Sequence, residues 1–470
     1  MNRLGAFVLL PLYTHYLSAA EFGTLEVFYA ISSVVSGVLS VGIAHATLRF
    51  YFECTNDSER QALVCTNLIA STLISLVGVS ILWLFGPRLL LWALGPDAPP
   101  LALAAVLATL VLELSSQVAL SYLRAREMST FFIVLSFGKL VVQCVANALL
   151  LSRYDLGVVG VLSGNLLAVA VGWLVLCVYT LRQCGLHFHM DKFMPVLRYS
   201  LPFLYVTIIA TVSSNLDRFG ISKLVSMEAL GIYALALKFS KLVSDLIGEP
   251  FSRAYGAFRF TIMKSPDAAE VQARIFRYVA AMVTVIGLGI VLFTFDVLRL
   301  MSAPQFWGAA QLMPLLAVAA ALQVLNYIVQ TGILYNKSTH ELVHVTLVRA
   351  LVAIVVGLPL IWWRGVEGAC LATVLDAALG VYVTHRISQR YFPVRYERRP
   401  LLVLALLAVV FWALSLAVPD VSPWLQFATR VVLWIGFVAA VLASPVVSIA
   451  ERGWLRQRWF KLVGTAGVPE

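Results

Sequence analysis

Charged side chains are scarce in this chain. Asp, Glu, Lys and Arg make up 12% of its 470 residues, while 61% are apolar. Soluble domains carry about twice that share of charge, and no water-facing fold hides so much apolar surface, so a soluble protein is excluded. The signatures of common catalytic machinery are also missing: there is no Walker lysine motif, no GxSxG and no HExxH. Transport driven by ATP on this chain is thereby excluded, and no enzyme activity, cofactor or metal is expected. The six cysteines (Cys54, Cys65, Cys144, Cys177, Cys184, Cys370) form no CxxC and read as reduced small hydrophobes. His187-x-His189 and His340-xxx-His344 lack the surrounding Cys or Asp set that a metal site needs. Asn2-Arg3 leads straight into apolar sequence with no small-residue cleavage site, so the first apolar run is expected to stay as an anchor.

What the chain has instead is long apolar runs. They fall at 4–17, 24–47, 63–86, 101–123, 129–151, 156–181, 199–221, 229–252, 276–297, 311–335, 342–363, 368–384, 400–418 and 425–446. A helix of about 20 apolar residues crosses the hydrocarbon core, whereas strands of a membrane barrel alternate apolar and polar residues over about 10. The expected fold is an all-α polytopic membrane protein with about fourteen transmembrane helices. The first run is short: either neighbouring helices shield a short helix, or the helix begins upstream, which is the favoured reading.

Lys and Arg outside the runs fall mostly in alternate gaps. With the N-terminus inside, and with Arg277 at the edge of its run counted with the cytoplasmic gap before it, 23 of the 34 fall in cytoplasmic segments, 5 in outer segments (Arg88, Arg153, Lys223, Arg299, Arg364) and the other 6 within the runs. That asymmetry orients both termini to the cytoplasm and accounts for the formal charge of +10 without nucleic acid. An internal echo appears at an offset of 208: Leu17-Ser18-xxx-Phe22-Gly23 lines up with Val225-Ser226-xxx-Leu230-Gly231. It suggests parallel repeats. The expected organisation is an N-terminal lobe of helices 1–6 over 1–181, a cytoplasmic linker at 182–198 and a C-terminal lobe of helices 7–12 over 199–386. Helices 13–14 follow at 400–446. The basic, Trp-containing tail 447–470 reads as interfacial.

Charges inside the runs point to function, because a charge at mid-bilayer costs about 2.5–3.5 kcal/mol on insertion scales and usually faces a polar interior. The densest set is Asn215, Asp217 and Arg218 in run 7 with Lys238, Lys241, Asp245 and Glu249 in run 8. The last four are spaced 3, 4, 4 and so share one helix face. Either they line a hydrated passage, or Lys241 pairs with Asp245 while Lys238 and Glu249 snorkel to the two surfaces. Arg218 is a candidate to bind a phosphate bidentately; its alternative is an ion pair with an acid on another helix. Arg49 ends run 2 and either guards the cytoplasmic mouth or is one more orienting charge. Glu26, Glu113 and Asp376 are isolated acids that could carry a coupling proton. Lys139, Arg349 and Arg430 read as locally paired or snorkelling; His15 and His45 face either the same passage or the bundle core, with core packing the favoured reading.

Several segments resemble the polysaccharide repeat-unit flippases of the multidrug/oligosaccharidyl-lipid/polysaccharide exporter superfamily. They are Leu10-Pro11-Leu12-Tyr13-Thr14-His15-Tyr16-Leu17 with Ser18 to Gly23, Arg49-Phe50-Tyr51, Ser200-Leu201-Pro202, Leu216-Asp217-Arg218-Phe219, and Leu230-Gly231-Ile232-Tyr233 continuing to Lys238. His15 stands where that family often has Arg. The resemblance implies two six-helix lobes around a central cavity open to one side at a time, plus two C-terminal helices. The implied cargo is an oligosaccharide on undecaprenyl pyrophosphate, moved outward across a bacterial inner membrane for O-antigen, capsule or exopolysaccharide. Arg218, Lys238, Lys241, Arg49 and Asn215 would face the pyrophosphate and glycan; Asp217, Asp245, Glu249 and Glu26 would couple or pair. A polysaccharide polymerase and glycosyltransferases are the expected partners, with membrane lipid. Two rivals stand: a drug/cation antiporter of the same superfamily, which would want an acidic site, and a membrane glycosyltransferase or polymerase, which would want a large outer loop or a catalytic acid set.

Overall fold

The computed structural model describes residues 7–95, 99–263, 265–336, 338, 340–418 and 422–447. They are helical throughout, with no strand among the described residues. Ten helical stretches among them are long and apolar enough to cross a membrane, or eleven if the bent pair Met190–Pro202 and Leu204–Leu224 counts as one crossing. Large apolar side chains point outward along them, among them Leu84 (77% exposed), Trp362 (76%) and Val432 (67%). Exposure on that scale is tolerable against lipid and not against water, so the chain is a multi-pass membrane protein.

The number fourteen is not established by these stretches, and the reasons are local. Helix α1 (Leu10–Tyr16) has seven residues, too few for a crossing. His340–Tyr391 forms one continuous helical stretch of 52 residues. At about 1.5 Å per residue it is long enough for two crossings, and it breaks at Gly365, whose φ of 60° and ψ of −132° are open only to glycine. That break falls between the expected runs 342–363 and 368–384. The run at 229–252 is helical, as α10 (Met227–Val243), a π-helical turn over Ser244–Gly248 and α11 (Glu249–Ile262); its charges keep it from counting as a crossing by composition. The interfacial tail expected at 447–470 lies almost wholly outside the described residues.

The described residues form two compact units. The first comprises Met1–Ala234, Met301–Phe306 and Thr346–Ala372; the second comprises Leu235–Leu300, Trp307–Val345 and Thr373–Glu470. In the first, α2 (Ala19–Leu39), α3 (Ile43–Glu53), α4 (Asp57–Leu94), α5 (Pro100–Ala125), α6 (Ser129–Ser152) and α7 (Gly157–Cys184) pack with α8 (Met190–Ser213) and α9 (Leu216–Leu224). Its main core holds Ile43, Leu63, Leu68, Val118, Leu123, Leu176 and Val196. In the second, Val243, Ile247, Tyr255, Val279, Val283, Val324 and Ile328 form one core. Phe437, Val441, Leu288 and Leu404 form another, which seats the last two helices, Arg398–Leu416 and Pro423–Ala443.

Inside the first unit the 208-residue echo is a physical contact. A Cβ added at Gly23 would overlap the Met227 carbonyl oxygen, and one added at Gly231 would overlap the Ala19 carbonyl oxygen. Positions 19 and 227, like 23 and 231, differ by 208, so each partner meets the other's counterpart. A reciprocal contact of this kind is the mark of a local two-fold relation. The caps match as well. Ser18 Oγ accepts from the Glu21 amide at 3.2 Å, and Ser226 Oγ accepts from the Ala229 amide at 3.0 Å. The first is a full capping box, since Glu21 reaches back to the Ser18 amide at 2.8 Å; the second cannot be, with Ala at the same place.

Candidate functional site

The charged cluster of the first unit is built on the turn between α8 and α9. The chain leaves α8 at Ser213, and Asn215, which is 5% exposed, stands at the N-cap position of α9 without a side-chain capping bond. Asn215 Nδ2 donates to the Thr211 carbonyl at 2.7 Å and to Ser33 Oγ of α2 at 3.4 Å; its Oδ1 accepts from Arg218 Nη1 at 3.1 Å. Its amide is therefore locked and holds the guanidinium in turn. Arg218 Nε lies 3.5 Å from Glu26 Oε2, and Nη1 lies 3.9 Å from Asp217 Oδ1. Asp217 also accepts from the hydroxyl of Tyr233 at 2.8 Å, and Tyr233 is fully buried.

Arg218 is thus not an open cation. Its side chain is 14% exposed and that of Glu26 is 4% exposed, so the ion pair with an acid on another helix, the alternative read from the sequence, is the arrangement present. One guanidinium faces two carboxylates, so the formal charge of this trio is −1 when all are ionised. Chemically such a trio can hold a proton, or exchange one acid for another anion at Arg218. Tyr233 and Ser33 were missed by sequence reasoning, because neutral hydroxyls leave no charge signal; Tyr233 lies inside the family-like block 230–238.

The second unit carries the stripe. Lys238 is half-buried, Lys241 is exposed, and Asp245 and Glu249 are half-buried. The sequence implies an unbroken α-helix through them. The structure instead places a π-helical turn, Ser244–Gly248, between the lysines and Glu249. The wider turn shifts the phase of everything after it and re-aims Asp245 and Glu249; such turns frequently sit at functional sites. Glu249 accepts from Arg253 Nη2 at 3.3 Å rather than only reaching for a surface.

The remaining candidates sort individually. Arg49 is exposed, donates from Nε to Glu53 Oε1 at 3.1 Å and stacks 4.4 Å over the Tyr199 ring. Arg430 is paired with Asp296 at 2.6 Å, as its local-pairing reading expects. Glu113, His15 and His45 are exposed, so the two histidines do not pack in a core. His340 and His344 both lean on Glu341, at 3.8 and 3.2 Å. Among the described residues no group of three or more His, Cys, Asp or Glu could hold a metal.

Comparison with known proteins places this architecture. A family model described as "Polysaccharide biosynthesis protein" matches residues 1–255, more than half of the chain. The chain belongs to the polysaccharide biosynthesis protein family. No curated protein matches it significantly. Among solved structures, the lipid II flippase MurJ in an inward closed conformation superposes with a TM-score of 0.71 at 13% identity, covering 93% of this chain and 97% of that one. An inward-facing multidrug resistance MATE family transporter of the MOP superfamily gives a TM-score of 0.67 at 14% identity, covering 83% and 94%. The Vibrio cholerae MATE transporter VcmN in its bent form gives 0.54 at 15% identity, covering 83% and 95%. At these identities the likeness is one of fold. The all-α membrane fold is therefore that of the exporter superfamily to which the sequence resemblance points, and these neighbours are transporters and a flippase rather than enzymes.

Proposed function

We propose that the protein is a flippase that moves undecaprenyl-pyrophosphate-linked oligosaccharide from the cytoplasmic to the outer leaflet of a bacterial inner membrane, by alternating access, for assembly of a surface polysaccharide. The observation that carries this reading is the polysaccharide biosynthesis family match over 1–255, on a chain whose fold is that of a lipid-linked precursor flippase over 93% of its length. The MATE likeness supports a drug/cation antiporter as a second reading.

In this account both termini are cytoplasmic, the two six-helix lobes and two extra helices follow the boundaries read from the sequence, and polymerase and glycosyltransferases work beside the protein. Lys238, Lys241 and Arg49 supply counter-charge to the pyrophosphate. Arg218 acts as a switch: the incoming anion, or protonation of Glu26, competes for its contact with Glu26. Asp217, held by Tyr233, keeps the guanidinium in place through the exchange. Asp245 and Glu249 balance the lysines when the substrate is gone. A membrane potential of 100 mV acting on one elementary charge supplies about 2.3 kcal/mol, enough to bias such a switch.

The test is reconstitution of the full chain in proteoliposomes loaded with a fluorescent undecaprenyl-pyrophosphate oligosaccharide. The expected result is protein-dependent appearance of the glycan in the opposite leaflet and no uptake of a cationic dye such as ethidium. Ethidium transport without glycan translocation would favour the antiporter.

A further inference from the structure

A second polar pocket lies in the first unit, away from the Arg218 cluster. It measures about 450 Å³ and is lined by the first turn of α4 and the C-terminal ends of α3, α5 and α7; small-molecule sites run about 300–1,000 Å³. Two arginines face it. Arg126 donates to the Tyr122 hydroxyl at 3.0 Å, and Arg60 donates from Nη1 to Asp57 Oδ1 at 2.9 Å. Asp57 is 85% exposed, so that contact is easily exchanged. Arg60 Nε is buried and finds no hydrogen-bond partner among the described residues, although a buried guanidinium N–H ordinarily has one.

Two further features fit an oxyanion. Tyr51 and Tyr122 lie edge to face at 6.1 Å, with the Arg60 guanidinium 5.4 Å from the centre of the Tyr51 ring. Gln61 and Gln183 supply neutral amides suited to hydroxyl groups beside the anion. The charge pattern of the gaps assigns this end of the unit to the cytoplasm.

We propose that this pocket binds a phosphate group on the cytoplasmic side, with Arg60 and Arg126 as the ligating pair. The phosphate displaces Asp57 from Arg60 Nη1. Its source is either an anionic phospholipid headgroup of the inner leaflet or a free phosphorylated solute; both present the same oxygens to the fork. The proposal is independent of the cargo carried through the protein.

The test uses the full chain in nanodiscs. Native mass spectrometry reads phosphatidylglycerol retained from mixed nanodiscs, and calorimetry reads inorganic pyrophosphate binding in phosphatidylcholine-only nanodiscs. The double variant Arg60→Gln/Arg126→Gln is expected to weaken binding at least about tenfold, since each charge-assisted bond lost corresponds to about tenfold or more. Arg124→Gln, at an exposed arginine outside the lining, should bind as wild type. Loss of phosphatidylglycerol alone identifies the lipid as the source, and loss of pyrophosphate alone the solute. Gln183→Glu leaves both arginines in place and adds negative charge to the wall; it should weaken the same binding even where the double variant folds poorly. Wild type that binds neither probe, or variants that bind both as well as wild type, would overturn the proposal.

Discussion

The Arg218 cluster and the Lys238–Glu249 stripe are the two richest sets of charge within the apolar runs, and they differ in exposure and in the helix that carries them. Around Arg218 every charged group is engaged: Glu26 and Asp217 flank the guanidinium, Asn215 orients it, and Tyr233 holds Asp217. The stripe is graded from half-buried to exposed and is interrupted by a π-helical turn. In the proposed function the first set stores a conformation and the second meets the ligand, so the identity of a charged residue does not by itself separate the two uses.

The largest stability effect should come from breaking the tight set. Arg218→Ala strands the buried carboxylate of Glu26 and the part-buried one of Asp217, and removing one partner of a buried pair costs about 3–5 kcal/mol. Melting of the purified variant should fall steeply, and Arg218→Ala/Glu26→Gln should recover part of the loss. A double variant no more stable than the single would dissolve the distinction between the two regions.

Next come the reciprocal glycines. Gly23→Ala and Gly231→Ala each force a methyl group against a backbone carbonyl that cannot rotate away. Overpacking of this kind costs about 1–3 kcal/mol. Because the contact is reciprocal, the two melting temperatures should drop by similar amounts. A loss at one position only would show that the 208-residue relation does not hold energetically.

The caps sharpen the same symmetry on a smaller scale. Ser18→Ala should cost about 1 kcal/mol, and more than Ser226→Ala, because the first cap is a reciprocal box and the second a single bond. Equal losses would mean that Glu21 contributes nothing. The smallest stability effect belongs to Lys241→Ala: an exposed side chain outside the core should change folding by no more than about 0.5 kcal/mol, while transport falls sharply.

How much of this was legible beforehand follows from what each signal depends on. Length and polarity of the runs depend on the bilayer alone, so the helices at 101–123, 129–151 and 156–181 were readable to within a few residues. The echo at Ser18 and Ser226 was readable as a pattern, but the interlock of Gly23 with Gly231 was not, since a glycine states only that space is needed and not what fills it. Arg218 is legible as a charge worth explaining; its partner Glu26, 192 positions away in the chain, reads as an isolated acid because sequence distance hides helix contacts. The π-helical turn at Ser244–Gly248 left no mark in the 3, 4, 4 spacing, which fits either helix type over so few residues.

The central claim is that accessible lysines in the second unit meet an anionic headgroup. The most direct measurement is glycan translocation by Lys238→Gln/Lys241→Gln in proteoliposomes carrying undecaprenyl-pyrophosphate oligosaccharide, with the melting temperature recorded on the same preparation. The account predicts translocation reduced at least about tenfold, as for loss of one or two charge-assisted contacts, with the protein still folded at the assay temperature. Translocation at the wild-type rate by a correctly folded double variant would contradict it.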